Sequence, residues 1–242
     1  LMAVNGDQNA AVYSLGQPDP DTAMINLGTG AFVLLPTGTK RVSHKRLLSG
    51  LAGSDAKARE YTIEGTVNGA GAAIKWAAST WQINNINAQL SGWLDQAHDP
   101  PIFLNSIGGL GSPFWQPGPT PQIIGQGQPW QNVVAVAESI LFLLQVNLEQ
   151  ITAAGLAIEK IRISGGLANL DGLCQRLADL TGKQVYRPTE TEATARGMAW
   201  LAAGRPSHWP EEQPGMSFSP QPNERLSDRY QRFMEALAKS VS

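Results

Sequence analysis

The chain has 242 residues, 42% of them hydrophobic, with 18 lysines and arginines against 20 acids and a formal net charge of −2. That length suits one large domain, or a domain with a smaller appendage, able to bury roughly 70% of its unfolded surface without a covalent staple. The mild acidity (pI about 5.9) argues against a nucleic-acid footprint, and the single cysteine, Cys174, excludes an internal disulfide and fits a reducing compartment.

In chain order, "LMAVNGDQNAAVYSLG" holds an apolar stub, an Asn-Gly turn pair, the acid Asp7 and then a helix-like run. Two β-type runs, "TAMINL" and "AFVLLP", flank Gly28-Thr29-Gly30 and predict a hairpin. The basic run Lys40–Leu48 has no interleaved aromatics and reads as a solvated strand edge. "YTIEGTVNGAGAAIKWAASTW" passes from a strand through a small-residue loop into a helix, and "INAQLSGWLDQAH" predicts another helix. "PIFLNSIGGLGSPFWQPGPTPQIIGQGQPW" is rich in glycine and proline and reads as a long, ordered loop.

Over Trp130–Ala154, Val133, Val136, Ala137, Ile140, Leu144 and Ile151 recur at helical spacings, which predicts a central helix covered on both sides. Its most apolar part, "VVAVAESILFLLQV", is too short to span a bilayer and carries Glu138 and Gln145, so no membrane segment is expected. "IEKIRISGG" is a strand ending in Gly165-Gly166. "LDGLCQRLADLTG" is an amphipathic helix that packs the Cys174 thiol, with Gly182 at its C-cap. "KQVYRP" is a short strand, and "TETEATARGMAWLAAG" a helix opening on a threonine cap. The Pro-rich tail ends in an amphipathic run that packs back as a terminal helix. This strand–helix alternation predicts an α/β fold. No signal peptide is evident, the seven tryptophans fall mostly in apolar periodic segments, and His44, His98 and His208 lack metal-ligand spacing. A soluble, cytoplasmic protein is expected, with no nucleic-acid partner.

Four short motifs could carry chemistry. Gly28-Thr29-Gly30 lets backbone N–H groups approach an anion while the threonine hydroxyl donates to a phosphate; taken alone, such a stretch is usually just a turn. In "RISGGLANLDGL", a strand ends in Gly165-Gly166 and a helix follows, so a helix N-terminus and bare glycine backbone could receive a nucleotide. The six-residue glycine spacing of a dinucleotide fingerprint is absent, and a plain strand–helix turn fits as well. Gly69 and Gly71 in "NGAGAAIKW" allow a helix start to lie close to a ligand, or a tight helix contact. Asp7, just past a turn, can reach into a cleft or simply cap that turn.

Taken in register, "GDQNAAVYSLG", "INLGTGAFVLLPTG", "YTIEGTVNGAGAAIKW", "GGLGSPFW", "ISGGLANLDGLCQRLADLTGKQVYRP" and "TEATARGMAWLAAG" resemble the C-terminal half of the FGGY carbohydrate kinases, the family of glycerol kinase, xylulokinase and gluconate kinase. The resemblance implies an actin-like ATPase, ribonuclease H-like lobe, a mixed sheet flanked by helices. Residues 1–242 would be the second, nucleotide-binding lobe, with the N-terminal sugar-binding lobe outside this chain. It further implies ATP-dependent phosphorylation of a hydroxyl on a small sugar or polyol, with ATP and Mg2+ as cofactors, no metal ligand in this lobe, and the first lobe and a homodimer as partners.

By position, Asp7 falls on the family's catalytic base and Gln8 on a substrate-contacting glutamine. Thr29, between Gly28 and Gly30, matches the threonine that contacts the nucleotide's terminal phosphates. Gly71 and Lys75 match two nucleotide-contacting positions, and Gly166, beside Gly165, matches the adenosine-contacting glycine. Leu170 falls where glycerol kinases often carry asparagine, a contact that Asn169 could make instead. "GTGAFVLLPTG" and "EGTVNGAGAAIKW" look more like glycerol kinases than xylulokinases. Against this, Leu27 stands where glycerol kinases usually have tyrosine, and the arginine-glycine that usually follows the "GLGSPFW" region is replaced by "TPQIIGQGQPW". The alternative is a non-catalytic nucleotide-binding or interaction module that keeps the lobe fold.

Overall fold

Alternation decides how the sheet is built. Along β1 (Thr22–Leu27) every second residue is buried, so Ala23, Ile25 and Leu27 face one way and Thr22, Met24 and Asn26 the other. The chain continues through β2 (Ala31–Gly38), β3 (Leu48–Ser54), β4 (Arg59–Val67), β5 (Ile102–Leu104), β6 (Gln122–Ile124), β7 (Lys160–Ser164), β8 (Gln184–Arg187) and β9 (Met216–Phe218). A computed structural model describes residues 2–56, 58–189 and 192–241. In it seven strands form one mixed sheet in the order β3-β4-β2-β1-β7-β8-β9, and β5 and β6 form a separate two-stranded ladder. The pairs β1–β7 and β7–β8 are parallel and the remaining pairs antiparallel.

The helices are α1 (Asp7–Ala11), α2 (Gly71–Thr80), α3 (Ile86–Gln96), α4 (Pro129–Ala153), α5 (Asp171–Thr181), α6 (Ala193–Ala202) and α7 (Glu224–Ser240). Register sets the two faces apart. Ile25 opposes Val33 and Ile163, Leu35 opposes Ile63, and Ile161 opposes Val185, which makes one face continuously apolar. Helix α4, apolar nearly all round, lies on that face and is itself flanked by α2, α3, α5 and α7. The Cys174 thiol is packed in this core on α5, where burial pushes its pKa up to about 11, and Gly182 caps α5 in the left-handed region.

At 25 residues α4 is long and apolar enough to cross a membrane, so the expectation that this stretch is too short does not hold. Its apolar residues are instead covered by the sheet and neighbouring helices. Inside this layer Glu138 accepts from Arg229 Nε and Nη2, both at 2.7 Å, and from Arg176 Nε at 3.0 Å.

The opposite face is only partly covered. A second, smaller core joins Val12, Tyr13, Leu34, Ala52 and Trp200, so α1 and α6 sit over one part of the sheet. The Tyr13 and Trp200 rings stack at 5.5 Å. Gly197 of α6 lies directly against the Ala10 carbonyl of α1, where any side chain would collide with backbone. Every tryptophan but Trp115 is buried or half-buried.

Several local expectations change. The basic run is a loop over most of its length, and only Leu48 belongs to the edge strand β3. The Gly/Pro-rich segment contains β5 and β6, and β9 adds an antiparallel edge from the Pro-rich tail. Helix α6 starts after Glu192 with no side-chain cap. Thr194 of its first turn instead donates to the Asp7 carbonyl at 3.1 Å, while Glu190 and Thr191 lie outside the described residues.

Candidate functional site

The hairpin between β1 and β2 closes at the pair Leu27–Ala31, so Gly28-Thr29-Gly30 is its three-residue turn. That turn also does the work of a helix cap. The N–H of Gly71 donates to the Gly28 carbonyl at 2.9 Å, and the N–H groups of Ala70 and Ala72 donate to the Thr29 carbonyl at 3.2 and 2.9 Å. Helix α2 has no side-chain cap, so backbone carbonyls satisfy its first donors. The Thr29 side chain is left exposed, with no hydrogen bond within the described chain.

A second glycine feature meets this turn from the other side. Gly165 sits at φ +95°, and a Cβ there would lie 2.6–2.7 Å from the backbone of Leu27, so no other residue fits. The chain then makes a single 3₁₀ turn, Gly166–Asn169, before α5 begins at Asp171. The expected helix N-terminus at the glycine pair is therefore this short turn, because Gly165 must first lead the backbone past the end of β1. Gly166 faces open space, with nothing within 4 Å of where a Cβ would point.

Between the two glycine turns lies a cavity of about 480 Å³. Gly28, Thr29, Gly71, Lys75, Gly166, Asn169 and Leu170 all line it, so seven of the nine positions expected to face a nucleotide meet in one place. Ile74, Ala78, Ile86 and Leu167 give it apolar walls. The other two positions stand apart: Gly30 lines the neighbouring cleft, and Gly165 is packed behind against Leu27.

That neighbouring cleft, about 580 Å³, lies over the partly covered face of the sheet, opposite α4. Asp7 and Gln8, at the start of α1, line it together with Gly28, Thr29 and Gly30. Thus the turn carrying Thr29 is the wall common to both cavities. Most polar side chains on the cleft floor are held by their own neighbours. Asn26 donates to Ser164 at 3.1 Å, Asn68 to the Gly108 carbonyl at 3.0 Å, and the Thr66 hydroxyl accepts from Ser112 N–H at 3.4 Å. Arg162 is ion-paired with Glu212 and lies over the Tyr186 ring. Asp7 Oδ1 accepts from the Gln8 N–H at 2.8 Å, which leaves its second oxygen open. Among the described residues, the cleft side chains that no neighbour holds are those of Gln8, Thr29 and Glu64, and Asp7 Oδ2 is open as well.

Glu64 lies within "YTIEGTVNGAGAAIKW", but neither the glycine reading of that stretch nor the resemblance gives it a role. Its signal lies in the alternation of "YTIEGTV", which puts Thr62, Glu64 and Thr66 on one face of β4. Burial pushes its pKa above the usual carboxylate range. Among the described residues no group of three or more His, Cys, Asp or Glu side chains converges as a metal site.

Known proteins resemble this chain over most of its length. Residues 23–204 match the C-terminal domain of the FGGY family of carbohydrate kinases. A glycerol kinase of Alkalilimnicola ehrlichii is 34% identical over 210 residues, 84% of this chain and 42% of that protein. One of Agrobacterium fabrum is 33% identical over 223 residues, 88% of this chain and 44% of that protein. The chain thus spans less than half the length of these curated relatives. Plasmodium falciparum glycerol kinase, solved with ADP, superposes with a TM-score of 0.85 at 20% identity, over 98% of this chain and 50% of that one. Xylulose kinase from Rhodospirillum rubrum gives 0.82 at 18%, over 97% and 50%. At such identities the likeness is one of fold, that of an actin-like ATPase lobe with a mixed sheet flanked by helices. The match over residues 23–204 shows that this chain belongs to the FGGY family of carbohydrate kinases, as the family's C-terminal domain.

Proposed function

We propose that the chain is the nucleotide-binding and base-bearing lobe of a cytoplasmic, ATP-dependent kinase for a small polyol or sugar, working with an N-terminal lobe that closes the cleft. The observation that carries this reading is the shared wall: the Thr29 turn separates a cavity of nucleotide-facing positions from a cleft that holds Asp7 and Gln8. Phosphoryl transfer needs donor and acceptor oxygens in line on either side of the transferred phosphorus, and the turn lies beside the border where the two cavities meet.

The nucleotide pocket fits its proposed guest. About 480 Å³ lies within the roughly 300–1,000 Å³ typical of small-molecule sites. Ile74, Ala78, Ile86 and Leu167 offer apolar surface to a base, bare Gly166 admits close approach, and Thr29 and Lys75 offer a hydroxyl and a cation toward phosphate. Mg2+ would arrive with ATP, shielding the phosphate charge that grows during transfer. Asp7 Oδ2, exposed and free, takes the proton from the acceptor hydroxyl, and the Gln8 amide orients that acceptor. Closure of the first lobe excludes water from the acceptor. Glycerol is the acceptor favoured among polyols, because the curated relatives named above are glycerol kinases.

The test pairs this chain with its first lobe. Asp7→Asn abolishes acceptor-dependent ADP formation while nucleotide binding survives. Robust turnover by that variant would remove Asp7 from the role of base. A second reading, a lobe that binds nucleotide without turnover, draws on Leu170, an apolar residue in the nucleotide cavity. It predicts binding with no acceptor-dependent ADP release from the wild-type protein.

A further inference from the structure

Glu64 is the free polar group in the cleft that no motif accounts for. Its position on β4 is unusual for an acid. Across the strands its direct neighbours are Leu34 on β2 and Leu48 on β3, so it stands in an apolar row. The cation nearest along that row is Arg162 of β7, three strand spacings away, roughly 14 Å at about 4.8 Å per strand. Arg162 is moreover held by Glu212. The other charged group facing the cleft, Asp7, has the same sign. Among the described residues Glu64 has no hydrogen bond and no ion pair, and a half-buried carboxylate left so is a standing cost to the fold. Such a group is retained where a ligand completes it.

Resting on the kinase reading above, we propose that Glu64 is an acceptor-binding residue, its carboxylate accepting a hydrogen bond from a non-reacting hydroxyl of the polyol whose reacting hydroxyl faces Asp7. The two acids then divide the work. Asp7 meets the hydroxyl that is phosphorylated, and Glu64 reads whether a second hydroxyl is present. Both line one cleft, and Asn26, Thr66 and Asn68 beside Glu64 each make a hydrogen bond within the fold that Glu64 does not. A carboxylate aimed at an hydroxyl discriminates strongly against an analogue that lacks it, because the acid is then left buried and unpaired.

The experiment uses the two-lobed protein with whichever of glycerol, D-xylulose or D-gluconate the wild type phosphorylates, together with its monodeoxy analogues. Glu64→Ala raises the acceptor KM about tenfold or more, the size of one hydrogen bond to a charged group, while the KM for ATP stays unchanged. The variant also loses the wild-type preference for the full polyol over one monodeoxy analogue. Glu64→Gln, which keeps the shape and one acceptor oxygen, lies between the two and decides the matter if the alanine variant does not fold. An acceptor KM within twofold of wild type in both variants overturns the assignment. So does a loss of rate equal for the polyol and all its deoxy analogues, the pattern of an acid that meets a cation of the first lobe. A wild type that phosphorylates none of the three acceptors fails earlier and takes the kinase reading with it.

Discussion

Glutamine at position 64 would suit the folded chain better than glutamate, and the pH dependence says by which mechanism. Burial raises the Glu64 pKa above its ordinary value, so the native state binds this proton more tightly than the unfolded chain does. The contribution of Glu64 is then fully favourable below the ordinary carboxylate pKa of about 4.3 and is lost as pH rises through the higher native value. Above that native value the charged group bears its desolvation cost. Glu64→Gln therefore melts higher than wild type at pH 7, and the gain shrinks to nothing as the pH is lowered past the carboxylate range. Equal melting temperatures across that window would mean that water already solvates the acid. A substitution that stabilises the chain while weakening acceptor binding is the signature of a residue kept for function.

Helix α4 places a different kind of acid at its centre. Glu138 is buried and shared between two arginines, Arg229 from α7 and Arg176 from α5, so it ties three helices together. Glu138→Ala takes from two guanidinium groups the carboxylate they share, leaving Arg229 only the more distant, exposed Asp99 at 3.9 Å, a loss of about 3–5 kcal/mol measured by denaturant unfolding. Glu138→Gln, which can accept hydrogen bonds but not balance charge, recovers part of it. A loss below about 1 kcal/mol for the alanine variant would mean that the arginines find water instead. Long periodic elements such as α4 and α5 were legible in the sequence because their apolar spacing is repeated over several turns. Strands β3, β5, β6 and β9 were not. β3 reads "LSGLAGS", with two glycines and no run of β-branched residues, and its place depends on pairing with β4. The three-residue β5, β6 and β9 owe their pairing to neighbours distant in sequence.

Over the whole chain, the cavity proposed for the nucleotide and the cleft proposed for the acceptor are two open hollows that meet at the Thr29 turn. Calorimetry with Mg-ADP against the 242-residue chain, carried to millimolar concentration, gives saturable binding that Gly166→Asp weakens, since the open space above Gly166 would be filled by a charged side chain. The same chain, without a first lobe, phosphorylates no acceptor. Acceptor-dependent turnover by these residues alone would contradict a site divided between two lobes. Much of the candidate site was legible as order: Asp7, Thr29, Gly71 and Gly166 lie far apart in the chain, and each was marked by a turn or glycine signature. Glu64 was not, because an acid within a strand looks like a solvated edge until the register shows leucines on either side.

The carbonyls of Gly28 and Thr29 do more than end a helix. Because they hold the first amides of α2, the hairpin tip and the beginning of that helix form a single rigid bracket, clamped from behind where Gly165 meets Leu27. A bracket of this kind has no slack. The start of α2, which lines one chamber, thus hangs from the same two carbonyl-bearing residues that wall the other.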